Sequence, residues 1–433
     1  MIKKNKKLIG DWLLKNCKAY NPFKSEYIEG DILIKDGIID SVGKVNNSTK
    51  NTIDCKGYIV SPGFIDIHSH FREPGGEDKE TLESGAISAM SGGYTKVCIM
   101  PNTSPPIDSP EAIRFIKEKS KKLPIEIYPI GAITINQGGS EIAEYNGMVN
   151  EGAVALSDDG IPLQNGQVMR YALEYSKMFN VPVINHAEDV FIRNDGIINE
   201  SSLSTKLGLC GNPSISESTM VFRDLELADY VNGRIHIPHV SSRRSVELID
   251  AYKKKGVNVT AEVTPHHIAL NDDILINYNT NAKVAPPLRK KEDSQALIDG
   301  LKNGIIDCIA SDHAPHTLED KEKDIHHAPC GMISLESAFG LSFKVLKENK
   351  ISPEKIIDFF TVGPAKVLNW DIQPFEVGSI ADFSIIDPKE KWIFSKKDIY
   401  SRSKNSPVLG MSLLGRVNIT IFGKNAFGFF DKM

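Results

Sequence analysis

Eight short apolar runs, each rich in β-branched residues, alternate with longer stretches of helical pattern through the middle of the chain. Runs of this length are typical of parallel strands buried on both faces, and each is followed by room for a helix. This pattern predicts a (β/α)8 TIM-type barrel of roughly 250–300 residues. A doubly wound open sheet has the same local pattern, and periodicity alone does not exclude it. The eight runs are GFIDIH (63–68), TKVCIM (95–100), IEIYPIGA (125–132), GAVAL (152–156), VPVIN (181–185), RIHIPHV (234–240), VNVTAEV (257–263) and IIDCIAS (305–311).

Three of the intervening segments have a clear helical pattern. They are ETLESGAISAMSGG (80–93), SPEAIRFIKEKSKK (109–122) and NGQVMRYALEYSKMFN (165–180). In the second segment Ser109 is a candidate N-cap, because it precedes Pro110 at what would be the first helical position.

The two ends of the chain have strand patterns instead. DILIKDGIIDSVG (31–43) has a hairpin signal at Asp36-Gly37, and GSIADFSIIDP (378–388) and VNITIFG (417–423) also alternate like strands. We therefore predict a small β domain formed from the N- and C-terminal segments. The predicted division is 1–60 for the N-terminal part of this domain, 61–365 for the barrel and 366–433 for the C-terminal part.

Composition excludes several classes of protein. The 51 Lys and Arg residues against 56 Asp and Glu give a net charge of −5, so nothing favours nucleic acid as the main partner. The basic start MIKKNKKLIGDWLLKN is interrupted by charges and has no small-residue cleavage site, and no run approaches membrane-span length. Six scattered cysteines without a CxxC pair are typical of reduced thiols. These features predict a soluble, cytoplasmic protein.

Polar residues gather where the apolar runs end. In a (β/α)8 barrel the carboxyl ends of the strands form one mouth, where active sites lie, so residues far apart in sequence would meet there. The residues in these positions are His68, His70, Asn102, Asp158, Asp159, His186, His239 and Asp312.

The types of these residues point to a metal site. His68 and His70 are two apart on a strand, so both imidazoles face the same side and can reach one ion. Alone, such a pair is a weak signal. With His186, His239 and a carboxylate it becomes a ligand set suited to zinc or a related divalent ion. Asp159 is placed to bridge two ions if the centre is binuclear.

Eight motifs resemble, in order, those of the dihydroorotase family of the amidohydrolase superfamily, and they cover about residues 57–385. The absence of lysine from GAVALSDDG indicates the family type with aspartate after the fourth strand, where many relatives have a carboxylated lysine. The motifs are GFIDIHSHFREPGGEDKET, MPNTSPP, SDDG, HAED, PHVSS, EVTPHH, PPLR and SDHAPH.

The resemblance implies a zinc-dependent, reversible cyclisation of N-carbamoyl-L-aspartate to (S)-dihydroorotate in pyrimidine synthesis, with one or two Zn²⁺ per chain. Asp312 would also be catalytic, carrying a proton to and from the ring nitrogen. Arg72, Asn102 and His316 would bind the substrate carboxylate. Asp159 is preferred to Asp158 because its separation from His186 fits the family. The implied metal ligands are His68, His70, Asp159, His186, His239 and Asp312.

One departure from the family pattern concerns the substrate. Where the family usually has asparagine before PPLR, this chain has Ala285. The loss of that side-chain contact keeps an allantoinase- or hydantoinase-like activity open as an alternative. A second alternative is a non-catalytic, dihydroorotase-like partner of aspartate transcarbamoylase, but such degenerate copies lose metal histidines that this chain retains. The resemblance further implies a homo-oligomer and, in some members, association with aspartate transcarbamoylase.

The remaining histidines are not expected to bind metal or substrate. His236 would face away from His239 on its strand and be structural, His266 and His267 would support the metal site from outside or be structural, and His326 and His327 would be solvated. The stretch 313–331 is rich in charges and poor in apolar residues, which predicts a mobile loop.

Overall fold

The computed structural model describes residues 6–46, 49 and 51–429, so the first five residues of the basic start and the last four residues of the predicted C-terminal part lie outside it. Nineteen strands occur among the described residues: β1 (Lys6–Ile9), β2 (Trp12–Asn21), β3 (Glu26–Lys35), β4 (Ile38–Gly43), β5 (Asn51–Asp54), β6 (Ile59–Pro62), β7 (Phe64–Ser69), β8 (Tyr94–Ile99), β9 (Glu126–Pro129), β10 (Leu156–Ser157), β11 (Val183–Ile184), β12 (Ile198–Asn199), β13 (Gly211–Asn212), β14 (Ile235–Ile237), β15 (Val259–Val263), β16 (Cys308–Ile309), β17 (Asp382–Ile393), β18 (Ser412–Phe422) and β19 (Asn425–Gly428).

The same residues form fourteen α-helices, with short 3₁₀ turns at Ile135–Gln137, Lys177–Phe179, Asp272–Leu275, Thr280–Ala282 and Lys396–Asp398. The helices are α1 (Leu82–Gly92), α2 (Pro110–Ser120), α3 (Tyr145–Glu151), α4 (Gly166–Ser176), α5 (Val190–Arg193), α6 (Ser202–Leu207), α7 (Ile215–Val231), α8 (Arg243–Lys255), α9 (Pro265–Ala269), α10 (Lys291–Lys302), α11 (Leu318–Lys321), α12 (Leu335–Glu348), α13 (Pro353–Asp358) and α14 (Val362–Leu368).

The eight predicted runs supply the eight strands of a closed parallel barrel. Two groups of strands, β7-β8-β9 and β10-β11-β14-β15-β16, are each hydrogen-bonded in parallel. Bridges join the groups on both sides, from Gly131 to Leu156 and from Ser69 to His313. The barrel prediction is confirmed, and the doubly wound open sheet is excluded because the strand order closes on itself.

Local chemistry explains the helix starts that the sequence indicated. The Ser109 side chain accepts a hydrogen bond from the Ala112 N–H, with Pro110 at the first helical position of α2. Helix α1 begins with a capping box at Thr81 and ends at Gly93, whose φ of 99° suits glycine. Among the residues described, no helix combines the length and apolar character needed to span a bilayer.

The two ends of the chain meet in one nine-stranded sheet. Its path is β1-β19-β18-β17-β6-β2-β3-β4, with β5 paired to β2, and the N- and C-terminal segments are joined by two antiparallel pairs, β1–β19 and β6–β17. The predicted hairpin lies between β3 and β4, and both Asp36 (φ 51°) and Gly37 (φ 82°) have the positive φ that a tight two-residue turn requires. The sheet confirms the predicted β domain; the residue limits 60/61 and 365/366 stay a prediction.

Candidate metal centre and active site

The structure brings the polar residues that follow the barrel strands to one end of the barrel. His68 lies in β7, and the others follow their strands by one to three residues. Their convergence comes from the parallel order of the strands, whose carboxyl ends all open to the same side. The residues are His68 in β7, His70 after β7, Asn102 after β8, Asp159 after β10, His186 after β11, His239 after β14 and Asp312 after β16.

One group of ligand atoms lies around Oδ2 of Asp159. The Nε2 atoms of His68 and His70 are each 3.5 Å from this oxygen. Oδ1 of Asp312 is 3.2 Å from His70 Nε2 and 3.8 Å from His68 Nε2. Two imidazoles and two carboxylates therefore face one small volume from three different strands.

A second group lies around the other oxygen of the same carboxylate. Oδ1 of Asp159 is 3.3 Å from His239 Nε2 and 3.6 Å from His186 Nδ1. These two ring nitrogens are themselves only 3.0 Å apart, so they share either one proton or one cation. Because each oxygen of Asp159 belongs to a different group, this carboxylate is placed to bridge two ions.

Hydrogen bonds on the far side of two imidazoles fix their tautomers. His68 Nδ1 donates to Glu262 Oε1 at 2.7 Å, and His70 Nδ1 donates to the Asn102 side-chain oxygen at 2.9 Å. Each ring therefore presents an unprotonated Nε2 to the carboxylates when it is neutral. Metal-binding histidines are usually oriented by such a partner on the other nitrogen.

The residues present fit a cation. His68 Nε2 is fully buried without a hydrogen-bond partner, although it faces Asp159 and Asp312. Burial opposes ionisation of Asp159, but the charge on His68 and hydrogen bonds from His186 and His239 outweigh it, so its pKa lies well below the usual value. Burial lowers the pKa of His70. Ionised carboxylates beside a neutral imidazole are the donor set that a divalent ion completes.

The two adjacent aspartates have different environments. Asp158 Oδ1 accepts hydrogen bonds from the backbone N–H groups of Ile133 and Thr134, at 2.8 and 3.1 Å, and Oδ2 accepts from the Thr134 hydroxyl. Its carboxylate is therefore engaged by the segment that follows β9, and of the two aspartates only Asp159 is directed at the histidines.

A cavity of about 370 Å³ opens over the centre. Arg72 reaches it with its Nε anchored on the Pro315 carbonyl at 3.2 Å, and burial lowers the pKa of this guanidinium to about 10, so it remains charged at neutral pH. His316 lies beside it, but its Nε2 donates to the Cys330 carbonyl at 2.8 Å. Other residues that line the cavity are His70, Asn102, Asp159, His186, Glu188, Arg193, Ala285, Asp312, Cys330 and Gly331.

The sequence did not single out Glu262, which lies in β15 behind the centre. It accepts from His68 Nδ1 on one oxygen and from His236 Nε2 at 3.1 Å on the other, and the His239 backbone N–H donates to it at 3.3 Å. Burial opposes its ionisation, but the charges and hydrogen bonds of His68 and His236 lower its pKa to about 2. An acidic residue inside the run VNVTAEV, which is predicted to be a buried strand, was the signal that could have identified it.

Three other buried histidines, His236, His266 and His267, lie around the centre without facing Asp159. His236 also contacts the Thr260 hydroxyl at 2.8 Å, and His267 contacts the Thr264 hydroxyl and the Pro286 carbonyl. His266 is fully buried with neither ring nitrogen hydrogen-bonded, and its Nε2 is 3.9 Å from Asp312 Oδ2. None of the three points a nitrogen at Asp159 in the way that His68, His70, His186 and His239 do.

The stretch 313–331 differs from the predicted mobile loop. It contains helix α11, and its carbonyl groups accept hydrogen bonds from two buried lysines, Lys283 and Lys321. The many charged residues of this stretch predicted a mobile loop. The atoms that anchor it are backbone carbonyl groups, and amino-acid composition gives no information about their partners.

Comparison with known proteins gives consistent results. Residues 57–245 match a family model described as dihydro-orotase-like. The chain is 43% identical over 415 residues to a dihydroorotase from Endomicrobium trichonymphae, covering 95% of this chain and 98% of that protein. It is 41% identical over 411 residues to a dihydroorotase from Aquifex aeolicus, covering 94% and 97%.

Solved structures agree on the fold. An L-hydantoinase (dihydropyrimidinase) from Arthrobacter aurescens superposes with a TM-score of 0.84 at 26% identity, covering 96% of both chains. A dihydropyrimidinase from Brevibacillus agri superposes with a TM-score of 0.81 at 22% identity, covering 95% of this chain and 94% of that one. With relatives above 40% identity across nearly the whole of both sequences, the chain belongs to the dihydroorotase family.

Proposed function

We propose that this chain is a zinc-dependent dihydroorotase, which interconverts N-carbamoyl-L-aspartate and (S)-dihydroorotate plus water in de novo pyrimidine synthesis. Its dihydroorotase relatives at 39–43% identity support this activity. The observation that carries the chemistry is the position of Asp159, whose two oxygens each face a different pair of histidines. Such a centre, open to a cavity that also contains a buried arginine, suits hydrolysis of a cyclic amide bearing a carboxylate.

The proposed ligands divide into two sets that share Asp159. His68, His70 and Asp312 belong to one set, and His186 and His239 belong to the other. Zinc bound there would polarise the amide carbonyl and lower the pKa of a water molecule, so that a nucleophile forms near neutral pH. Two separate sets favour two ions per chain, and imidazole with carboxylate favours zinc.

Asp312 is the proposed proton carrier. Burial raises the pKa of Asp312, but its 3.2 Å contact with His70 Nε2 and the charges of nearby histidines lower that pKa by more, so the carboxylate is ionised and able to accept a proton. In the hydrolytic direction it takes a proton from the water molecule as the new carbon–oxygen bond forms at the ring carbonyl. It returns that proton to the ring nitrogen as the carbon–nitrogen bond breaks, which gives a ureido group and a carboxylic acid, and the acid releases the second proton of the water to solvent and becomes a carboxylate.

Arg72 is the proposed anchor for the substrate carboxylate. Its Nε is held by the Pro315 carbonyl, which leaves the terminal nitrogens for a paired contact with two oxygens. Asn102 uses its side-chain oxygen on His70, so its NH2 group remains as a donor beside Arg72. His316 would join them by exchanging the Cys330 carbonyl for the substrate carboxylate as the acceptor of its Nε2–H.

Ala285 lines the cavity and favours one alternative, a hydantoinase- or allantoinase-like activity. The test is an assay of purified, zinc-loaded protein with dihydroorotate, allantoin and hydantoin side by side, and with N-carbamoyl-L-aspartate in the reverse direction. We expect kcat/KM for dihydroorotate to exceed that for the other two by at least about 100-fold, because only dihydroorotate presents a carboxylate to Arg72. Equal or higher values with hydantoin or allantoin would refute the proposal.

The remaining proposals concern the setting of the enzyme. We propose that it works in the cytoplasm, supported by four buried, free cysteines (Cys17, Cys55, Cys98 and Cys308). Assembly into a homo-oligomer and association with aspartate transcarbamoylase stay predictions, which size-exclusion chromatography with and without that partner would test.

A further inference from the structure

Two lysines beside the cavity are almost completely buried. Lys283 is 4% exposed and Lys321 is 5% exposed, which is rare for lysine unless its charge is satisfied. All the hydrogen-bond partners that the structure describes for their ammonium groups are backbone carbonyls. Neither side chain reaches the metal centre, so the proposed reaction does not explain their burial.

Lys283, which follows the 3₁₀ turn Thr280–Ala282 between α9 and α10, holds the C-terminal half of the segment 317–331. Its Nζ donates to the carbonyls of Ile325 and Ala328 at 2.7 Å each and of His326 at 3.1 Å. Its own carbonyl accepts from the Gly331 N–H at 2.9 Å. Side chain and backbone of one residue therefore hold the segment at four places.

Lys321 closes the segment on itself. Its Nζ donates to the Pro329 carbonyl at 2.7 Å and to the Thr280 carbonyl at 2.9 Å, so the end of α11 is joined both to the returning chain and to the 3₁₀ turn Thr280–Ala282. Asn405 fixes the two ends of the segment, because it accepts from the His316 N–H and donates to the Gly331 carbonyl.

The anchored segment forms one wall of the active-site cavity. His316, Cys330 and Gly331 line the cavity from this side, next to Arg72. We propose that Lys283 and Lys321 are positioning residues that hold this wall in place for the substrate carboxylate. The inference rests on the proposed function, and it adds two residues that touch neither substrate nor metal.

The chemistry of lysine suits this task. An ammonium group has three donors in a tetrahedral arrangement and no acceptor, so it can gather three carbonyl groups that have no other partner. A methionine of similar length would fill the space but leave those buried or part-buried carbonyls without the ammonium donor, which loosens the segment without removing a ligand or a cavity residue.

The experiment compares Lys283→Met and Lys321→Met with the control Lys323→Met. Lys323 lies in the same segment, but its side chain is 50% exposed and pairs with Asp320 at the surface. We expect both buried variants to raise KM for dihydroorotate at least about tenfold, with kcat within about twofold and zinc content unchanged. The control should match the wild-type enzyme. Trypsin, whose only cleavage sites in the 317–331 segment are Lys321 and Lys323, should cut this segment in Lys283→Met, which keeps both sites, at least about ten times faster than in the wild-type holoenzyme.

Two outcomes would contradict the proposed role of the lysines, and they can be told apart from failure of the proposed function. Faster cleavage with unchanged KM would mean that the wall is released but does not position substrate. A fall in kcat and zinc content with unchanged KM would indicate a general structural role. Either result overturns the proposal. An inactive wild-type enzyme would instead refute the proposed function, while the trypsin result would still report on the anchoring.

If the methionine variants do not fold, trypsin cleavage of the wild-type protein tests whether the segment is held in place before substrate binds. The anchored segment should resist trypsin equally with and without N-carbamoyl-L-aspartate. If trypsin cuts the segment in the free enzyme but not in the presence of substrate, the proposal is overturned. In that case the substrate, and not the two lysines, orders the cavity wall.

Discussion

Glu262→Gln is the most informative change behind the metal centre, because it keeps the shape of the side chain and removes only its charge. The carboxylate accepts from His68, from His236 and from the His239 backbone N–H. It therefore sets the tautomer of one proposed ligand and the position of another without touching the ion. We expect the variant to fold and to bind zinc more weakly.

The magnitude follows from the contacts. The glutamine oxygen can still accept from His68, and His236 can pass its proton to Thr260, so no donor needs to be left unpaired. What is lost is the difference between a hydrogen bond to a charged acceptor, roughly 1.5–3 kcal/mol, and one to a neutral acceptor, roughly 0.5–1.5 kcal/mol. A loss of about 1–2 kcal/mol corresponds to roughly 5- to 30-fold weaker zinc binding, of the order found for residues that orient metal ligands.

The assay is zinc titration of chelator-stripped protein against a competing chelator. Asp158→Asn is the matched control. It removes a buried carboxylate charge next to Asp159, but the Asp158 carboxylate is hydrogen-bonded to Ile133 and Thr134 and not to the histidines. We expect its zinc affinity to equal that of the wild-type protein. Unchanged affinity in Glu262→Gln, or an equal loss in Asp158→Asn, would refute the claim that Glu262 acts by orienting histidines.

Three further changes test the site itself. Asp159→Ala should abolish turnover and reduce bound zinc while circular dichroism stays native; retained activity would remove Asp159 from the ligand set. Arg72→Met should raise KM for dihydroorotate roughly 100-fold with a smaller change in kcat, because a charged pair of hydrogen bonds is lost; steady-state kinetics with an unchanged KM would contradict its role. Ala285→Asn should increase kcat/KM for dihydroorotate by roughly 2- to 12-fold if the amide gains one hydrogen bond of about 0.5–1.5 kcal/mol. No change in that ratio would show that position 285 does not contact substrate.

The barrel could be predicted from the sequence because parallel strands buried on both faces leave a continuous apolar run. All six residues of β7 are buried, and so are all five of β15. The lengths of the individual strands could not be predicted in the same way. The run 181–185 contributes only the two-residue strand β11, because a strand ends where its neighbours stop supplying hydrogen-bond partners, and that depends on distant segments.

The histidines of the candidate site could be predicted from the sequence, because clustered histidines after strands indicate a metal site. Residues whose role depends on hydrogen bonds to distant backbone groups could not. The position of His70 after a strand and the proximity of His186 to His239 follow from the barrel alone. Lys283 and Lys321 were missed because lysines in a charged, polar stretch are usually solvated. Their partners are backbone carbonyl groups that the tertiary structure brings together. Every residue has such a group, so the sequence does not show which of them will meet a lysine.

Backbone conformation explains why the direction of two proposed ligands could not be predicted. His239 has φ of 32° and Asp312 has φ of 46°, in the left-handed region that residues with a β-carbon avoid at a cost of about 1–3 kcal/mol. Each lies directly after a barrel strand, where continued extended backbone would direct its side chain elsewhere. Backbone hydrogen bonds from Asp312 N to the His68 carbonyl at 2.9 Å and from Val240 N to the Glu262 carbonyl at 3.0 Å hold these turns. The barrel thus imposes an unfavourable conformation at the positions where side chains must turn back to the centre, and the strands that carry His68 and Glu262 stabilise it.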